Sequence, residues 1–355
     1  MATAHREPEL DHVDITATPD SKSKPPPRVD LIPTADKDST ADTVSTVPTF
    51  KITEDECFNN FKKFIKREKS GLKVFYPQDE DLKKPASAAK TMVEKLFDLG
   101  CKKEVALQLS ILILYDMVML IDDSPSMETE QEGQRIVTLK STMKEITSVY
   151  DLANPKGIRS IKFLNAKKGL QNIKSSNWRK KFEAHDYNGM TRIGTSLQKK
   201  ILDKFVWESK MIKPLLVMII TDGDAEGERN GMLEDVLRGC VEKLEKDLER
   251  GKQAVAFHFS RVGNDLAAQE LLDRLDNSAT VGDNVDCLGV HDSLEKLADK
   301  DNRYKWVVLP KLLLGAIMQD WDEVEEEGNV ASQAPDELRN MDDDEEDEEG
   351  SDDDE

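Results

Sequence analysis

Two apolar runs of strand length, Met117–Ile121 and Pro214–Ile220, contain no polar residue at alternate positions. Unbroken runs of this kind suit strands buried on both faces, as in a parallel sheet covered by helices. Between and after them the period changes. Ile136, Leu139, Met143, Ile146 and Tyr150 recur at helical intervals, Gly194–Val206 forms an amphipathic stretch, and Met232–Leu248 carries a stripe of Leu233, Val236, Val241 and Leu244. Ile158–Leu164 alternates Ile158, Ile161 and Phe163 with Arg159 and Lys162, a half-exposed strand, and Ala254–Phe259 is a further strand. Strands alternating with helices of this length predict an α/β fold with a mostly parallel central sheet.

The flanks are helical. Thr53-Glu-Asp-Glu56 has the form of a capping box ahead of Phe58, Phe61, Phe64 and Ile65. Pro85 and Gly100 bracket a second helix with Met92, Val93, Leu96 and Phe97 on its apolar side. The first helix also carries Lys62, Lys63, Lys66, Arg67 and Lys69, which reads as a solvated outer face before it reads as a phosphate site. Val262–Asp265 predicts a turn before a helix over Ala267–Leu275, and Pro310 is expected to start a helix running through Leu313, Ile317 and Trp321. His258, on a predicted strand with no second His or Cys at ligand spacing, is expected to be a structural histidine.

Charge divides the chain further. The net charge is −21, but 322–355 holds 19 acids against one Arg, and 1–50 holds 9 acids against 5 bases, which leaves +1 for the stretch between. A nearly neutral central region carries no field that would draw it to nucleic acid or anionic membrane. The expected layout is a disordered segment over 1–50, a helical extension over 51–112, the sheet domain over 113–290, a second helical extension over 291–327, and a disordered acidic tail over 328–355. Four scattered cysteines without a C-x-x-C pair argue against a disulfide framework or a zinc site. With no apolar leader and no span-length apolar stretch, the expectation is an intracellular protein, cytoplasmic or nuclear, without a membrane span.

The chemistry lies where the buried runs stop. Met117–Ile121 ends in Asp122-Asp-Ser-Pro-Ser126, so Asp122, Ser124 and Ser126 form D-x-S-x-S at the carboxyl edge of the sheet, where open α/β folds bind ligands. One carboxylate and two hydroxyls on a tight loop suit Mg²⁺ or Mn²⁺. The second run ends in Thr221-Asp-Gly-Asp224, and Gly189–Leu197 is a polar loop entering a helix. In this order the three stretches resemble the von Willebrand factor A (vWA) family, whose Rossmann-like fold carries a metal-ion-dependent adhesion site. The resemblance covers about Leu114–Val290, and its LYD, DDSPSM, RVGND and NVDCL stretches look closest to intracellular fungal proteins with this domain.

By position, the resemblance implies Asp122, Ser124, Ser126, Thr191 and Asp222 as metal ligands, with Asp123 and Asp224 as further charge beside them. It also implies a short edge strand within the polar stretch Leu170–Tyr187. Two residues depart from the family pattern: Pro125 and Met190 each stand where Gly is common. The function implied is a Mg²⁺- or Mn²⁺-dependent protein-interaction module whose ion recognises an Asp or Glu of a protein partner. The alternative is a metal-independent scaffold working through its helical extensions or acidic tail. An enzyme is not expected. Ser124 stands where an Asp-nucleophile phosphotransferase needs its second carboxylate, and the chain has no phosphate-loop, G-x-S-x-G or H-E-x-x-H motif.

Overall fold

A computed structural model describes residues 50–223, 225–278, 281, 284–288, 293–299, 303–318 and 321. Most of segment 1–50, all of the tail at 328–355, and Asp224 lie outside the described residues. Six strands form one sheet in the order β3-β2-β1-β4-β5-β6: β1 (Asp116–Ile121), β2 (Ile158–Phe163), β3 (Leu170–Ile173), β4 (Leu215–Thr221), β5 (Val255–Arg261) and β6 (Val285–Cys287). All neighbours are parallel except β2 and β3, which pair antiparallel. The polar stretch after β2 therefore contains the expected short edge strand. The fold is mixed α/β, a mostly parallel sheet with helices on both faces.

The unbroken apolar runs have the predicted cause. On β1 and β4 the alternating side chains enter different cores: Met117, Met119, Ile121, Leu216, Met218 and Ile220 face one, and Val118, Leu120, Val217 and Ile219 face the other. The N-terminal helices α1 (Glu54–Arg67), α2 (Glu80–Asp98) and α3 (Lys103–Leu109) contribute to the first core. So does α5 (Gln134–Ala153), which follows a short α4 (Ser126–Thr129). After α6 (Trp178–Phe182), the second core is covered by a helix that begins as α7 (Ile193–Ser196) and continues with π-helical bonding over Leu197–Trp207. It is completed by α8 (Met232–Glu245) and α9 (Leu266–Asp276). The last helix, α10 (Lys305–Leu314), returns to the first core.

The capping box at Thr53 is formed in both directions, Glu56 N–H to Thr53 Oγ1 at 3.1 Å and Thr53 N–H to Glu56 Oε2 at 2.7 Å. Two helix starts differ from expectation. α2 begins at Glu80 and α10 at Lys305, so Pro85 and Pro310 sit inside their helices rather than at the first position. Proline at the first helical position is a preference and not a boundary rule. Glu80 and Asp81 complement the positive end of α2, and Trp306–Leu309 gives α10 apolar surface to bury before its proline. Gly157, at φ +75°, turns the chain into β2 so closely against Ile173 O of the edge strand that no side chain fits there.

Candidate functional site

The sheet order places β1 beside β4, and from that pair the following connections run to opposite sides, to β2 and to β5. Such a switch point opens a crevice at the carboxyl ends of the two strands. Asp122 follows β1 and Asp222 follows β4, so both carboxylates sit at these two strand ends, and both are fully buried. Asp122 Oδ1 accepts the Ser124 N–H at 2.8 Å, which closes the D-x-S-x-S turn. Its Oδ2 accepts the Thr221 hydroxyl at 2.7 Å, tying the ends of the two strands together. Ser124 Oγ and Ser126 Oγ lie 2.9 Å apart.

Asp122 therefore has only neutral partners. Burial, and next the nearby Asp222 carboxylate, push its carboxyl up to about 6. Asp222 is satisfied on one side alone: Oδ2 accepts Arg135 Nη1 at 2.6 Å, while buried Oδ1 has no hydrogen-bond partner among the described residues. Two adjacent carboxylates, an orphan carboxylate oxygen and a facing pair of hydroxyls make a donor set that suits a small hard divalent cation. Among the described residues no group of three His, Cys, Asp or Glu gathers as a metal cluster, so any ion here would depend on the hydroxyls.

Thr191 is buried and is tied through its backbone to the loop that follows Asp222. Its carbonyl accepts the Glu226 N–H at 3.0 Å, and the Glu228 carboxylate accepts Gly194 N–H and Thr195 N–H, both at 2.8 Å. The loop after Asp222 is thereby pinned to the loop carrying Thr191. Gly194 lies against the backbone of Met232 and Leu233 with no room for a Cβ, which fixes where this helix starts. The two departures from the vWA pattern are absorbed locally. Pro125 adopts φ −61°, natural to proline, and its carbonyl accepts Glu128 N–H and Thr129 N–H to begin α4. Met190 is half exposed, and its side chain lies where a Cβ on Gly227 would fall.

Asp123 is employed elsewhere. Its Oδ1 accepts Asn165 N–H at 2.7 Å and Asn165 Nδ2 at 3.0 Å, and its Oδ2 accepts Ala166 N–H at 3.0 Å and meets His185 Nε2 at 3.1 Å. It holds the loop after β2, with His185 stacked on Phe163 at a ring separation of 3.6 Å. Lys200 gathers the same loop by donating to the carbonyls of Phe163, Leu164 and Ala166. Asp224 lies outside the described residues. His258 hydrogen-bonds Asp286 through Nδ1 and Ser260 through Nε2, the buried, fully partnered histidine that was expected.

Neither a family model nor a curated protein matches the chain. Among solved structures it is similar to a von Willebrand factor type A protein from Catenulispora acidiphila, at 16% identity and a TM-score of 0.35, over 56% of this chain and 42% of that one. The chain thus spans less than half the length of that protein. No described helix is long and apolar enough to cross a membrane.

The residue that spacing did not single out is Arg135, in the first turn of α5. Its guanidinium is buried between Asp222 and Glu130, with Nη2 2.6 Å from Glu130 Oε2. A lone Arg on an amphipathic helix ordinarily reads as solvent-facing. The one available signal was its place on the stripe of Thr138, Thr142 and Glu145, all of which are buried.

Proposed function

We propose that this chain is a vWA-type, non-enzymatic protein-interaction module. In it Asp122, Ser124, Ser126, Thr191 and Asp222 hold Mg²⁺ or Mn²⁺. The observation that supports this reading most is the buried Oδ1 of Asp222, without a partner among the described residues and adjacent to a second buried carboxylate that only neutral groups contact. A buried carboxylate oxygen left unpaired is costly, and a cation is the partner that satisfies it. When bound, the ion would supply an open coordination position for an Asp or Glu oxygen of a protein partner. The chain's own residues do the rest: the Thr221 bond fixes Asp122, the Ser124 N–H sets the turn that presents both hydroxyls, and the Glu226 and Glu228 contacts hold the Thr191 loop.

The test is thermal unfolding of the full chain in EDTA and in Mg²⁺ or Mn²⁺, followed by a pull-down under both conditions. An ion that binds only the folded state at tenfold over its dissociation constant adds roughly 1.4 kcal/mol. That gain should vanish in Asp222→Ala, and captured partners should be lost in EDTA. A melting temperature indifferent to both ions would end the metal reading, and partners retained in EDTA would support a metal-independent scaffold.

A further inference from the structure

We propose that Arg135 is a built-in counter-cation of this site, so that a divalent ion enters by exchange with its guanidinium instead of filling an open position. The inference rests on the metal reading above and concerns how that site is regulated. It begins with charge. Asp122 and Asp222 with Arg135 leave one uncompensated negative charge in a buried place. Adding a divalent ion while Arg135 stays would turn this into one excess positive charge. Replacing the guanidinium by the ion leaves the two carboxylates neutralised, and Arg135 then keeps Glu130 as its ion-pair partner.

The geometry provides that second position. Arg135 is divided between two acceptors at the same distance, 2.6 Å: Nη1 on the fully buried Asp222 and Nη2 on Glu130, whose side chain is 55% exposed. Its Nε is buried with no partner among the described residues, so the fork is only partly used where it stands. Releasing Asp222 thus moves the guanidinium toward a carboxylate already in contact with it and nearer to solvent.

Its present place is also shaped for it. A Cβ on Gly263 would lie 2.7 Å from Arg135 Nε, and Gly263 has φ +81°, so the turn after β5 leaves a slot that the guanidinium occupies. The other wall is Glu130–Gly133, where Gln131 and Glu132 both adopt left-handed backbone and Gln131 hydrogen-bonds Asn264 beside Gly263. Two consecutive non-glycine residues in that conformation mark a segment held by its contacts, those of Arg135 among them.

The experiment is Mn²⁺ uptake by the full chain, followed by calorimetry and by the free-Mn²⁺ electron paramagnetic resonance signal, in wild type, Arg135→Met and Arg135→Lys. Arg135→Met should bind Mn²⁺ at least tenfold tighter, whereas Arg135→Lys, which keeps the charge, should stay within a few-fold of wild type. Wild type that binds Mn²⁺ with an Arg135→Met variant that binds no tighter, or more weakly, overturns the exchange and leaves the metal reading standing. Uptake by no variant overturns both. Should Arg135→Met fail to fold, the wild type decides: the Arg135 Nε–H resonance, identified by its loss in Arg135→Lys, should shift during a Mg²⁺ titration with the midpoint of metal uptake. A resonance unmoved at saturating Mg²⁺ overturns the proposal.

Discussion

Replacing Asp122 by Asn should stabilise the metal-free protein at neutral pH, although it removes a fully buried group with good hydrogen bonds. The amide preserves those bonds: Oδ1 still accepts the Ser124 N–H, and Nδ2 donates to Thr221 Oγ1, whose own proton turns to Gly223 O at 3.3 Å. What changes is the charge. The Asp122 carboxyl is raised from 3.8 to about 6 by burial and by Asp222. Because the folded value lies above the unfolded one, the folded state holds this proton more tightly. The associated stability is complete below pH 3.8 and is lost as pH rises through about 6. A rise from 3.8 to about 6 corresponds to roughly 3 kcal/mol at pH 7 and above. At about 2 °C per kcal/mol for a unit of this size, Asp122→Asn should melt some 6 °C higher than wild type at pH 7.5 in EDTA. The two should converge near pH 4. Differential scanning calorimetry of both proteins across this range reads the difference directly, since every other titrating group is common to them. In saturating Mg²⁺ the wild type should recover ground that the variant cannot. A difference that does not change with pH, or an Asn variant less stable at pH 7.5, would refute the reasoning.

Two further substitutions separate folding from the site. Asp123→Asn should destabilise the protein by about 2–4 kcal/mol in chemical denaturation, because a carboxylate accepting from two backbone N–H groups, an amide and a histidine loses charge-assisted bonds. Calorimetry on the folded fraction should show its Mg²⁺ affinity little changed. Gly157→Ala should cost at least 2 kcal/mol by the same denaturation, since it combines a positive φ with a collision against the Ile173 carbonyl; a cost under 1 kcal/mol would contradict the turn.

The sheet and the place of Asp122 and Asp222 at its carboxyl edge were legible because each is written twice, once as an apolar run and once as the polar residues that end it. Met117–Ile121 and Asp122 carry one such signal, Leu215–Ile220 and Asp222 the other. The His258 reading held for the same kind of reason, since a missing ligand partner is visible in one dimension. Arg135 was not legible, because its inward direction depends on Gly263, 128 residues later, leaving a gap of the right size. The partners of Asp123 were not legible either. Adjacent to Asp122 in sequence, it points its bonds at Asn165 and His185, and alternation along an extended segment sends neighbours to different sides. The helices containing Pro85 and Pro310 extend upstream because flanking acidic and apolar residues outweighed a positional preference.

The N-terminal helices bear on how the sheet would behave as a portable part. Phe61, Met92, Val93, Leu96 and Leu109 belong to the same continuous core as Met119, Ile146 and Leu216, and Gln253 ties Gly71 N–H and Glu68 O to the start of β5. Trimmed to 113–290, the sheet would be a hydrophobic half-surface, prone to self-association in expression and misleading in any binding screen. Grafting, tagging and fragment libraries should respect a starting point before Ile52, where the first core residue enters.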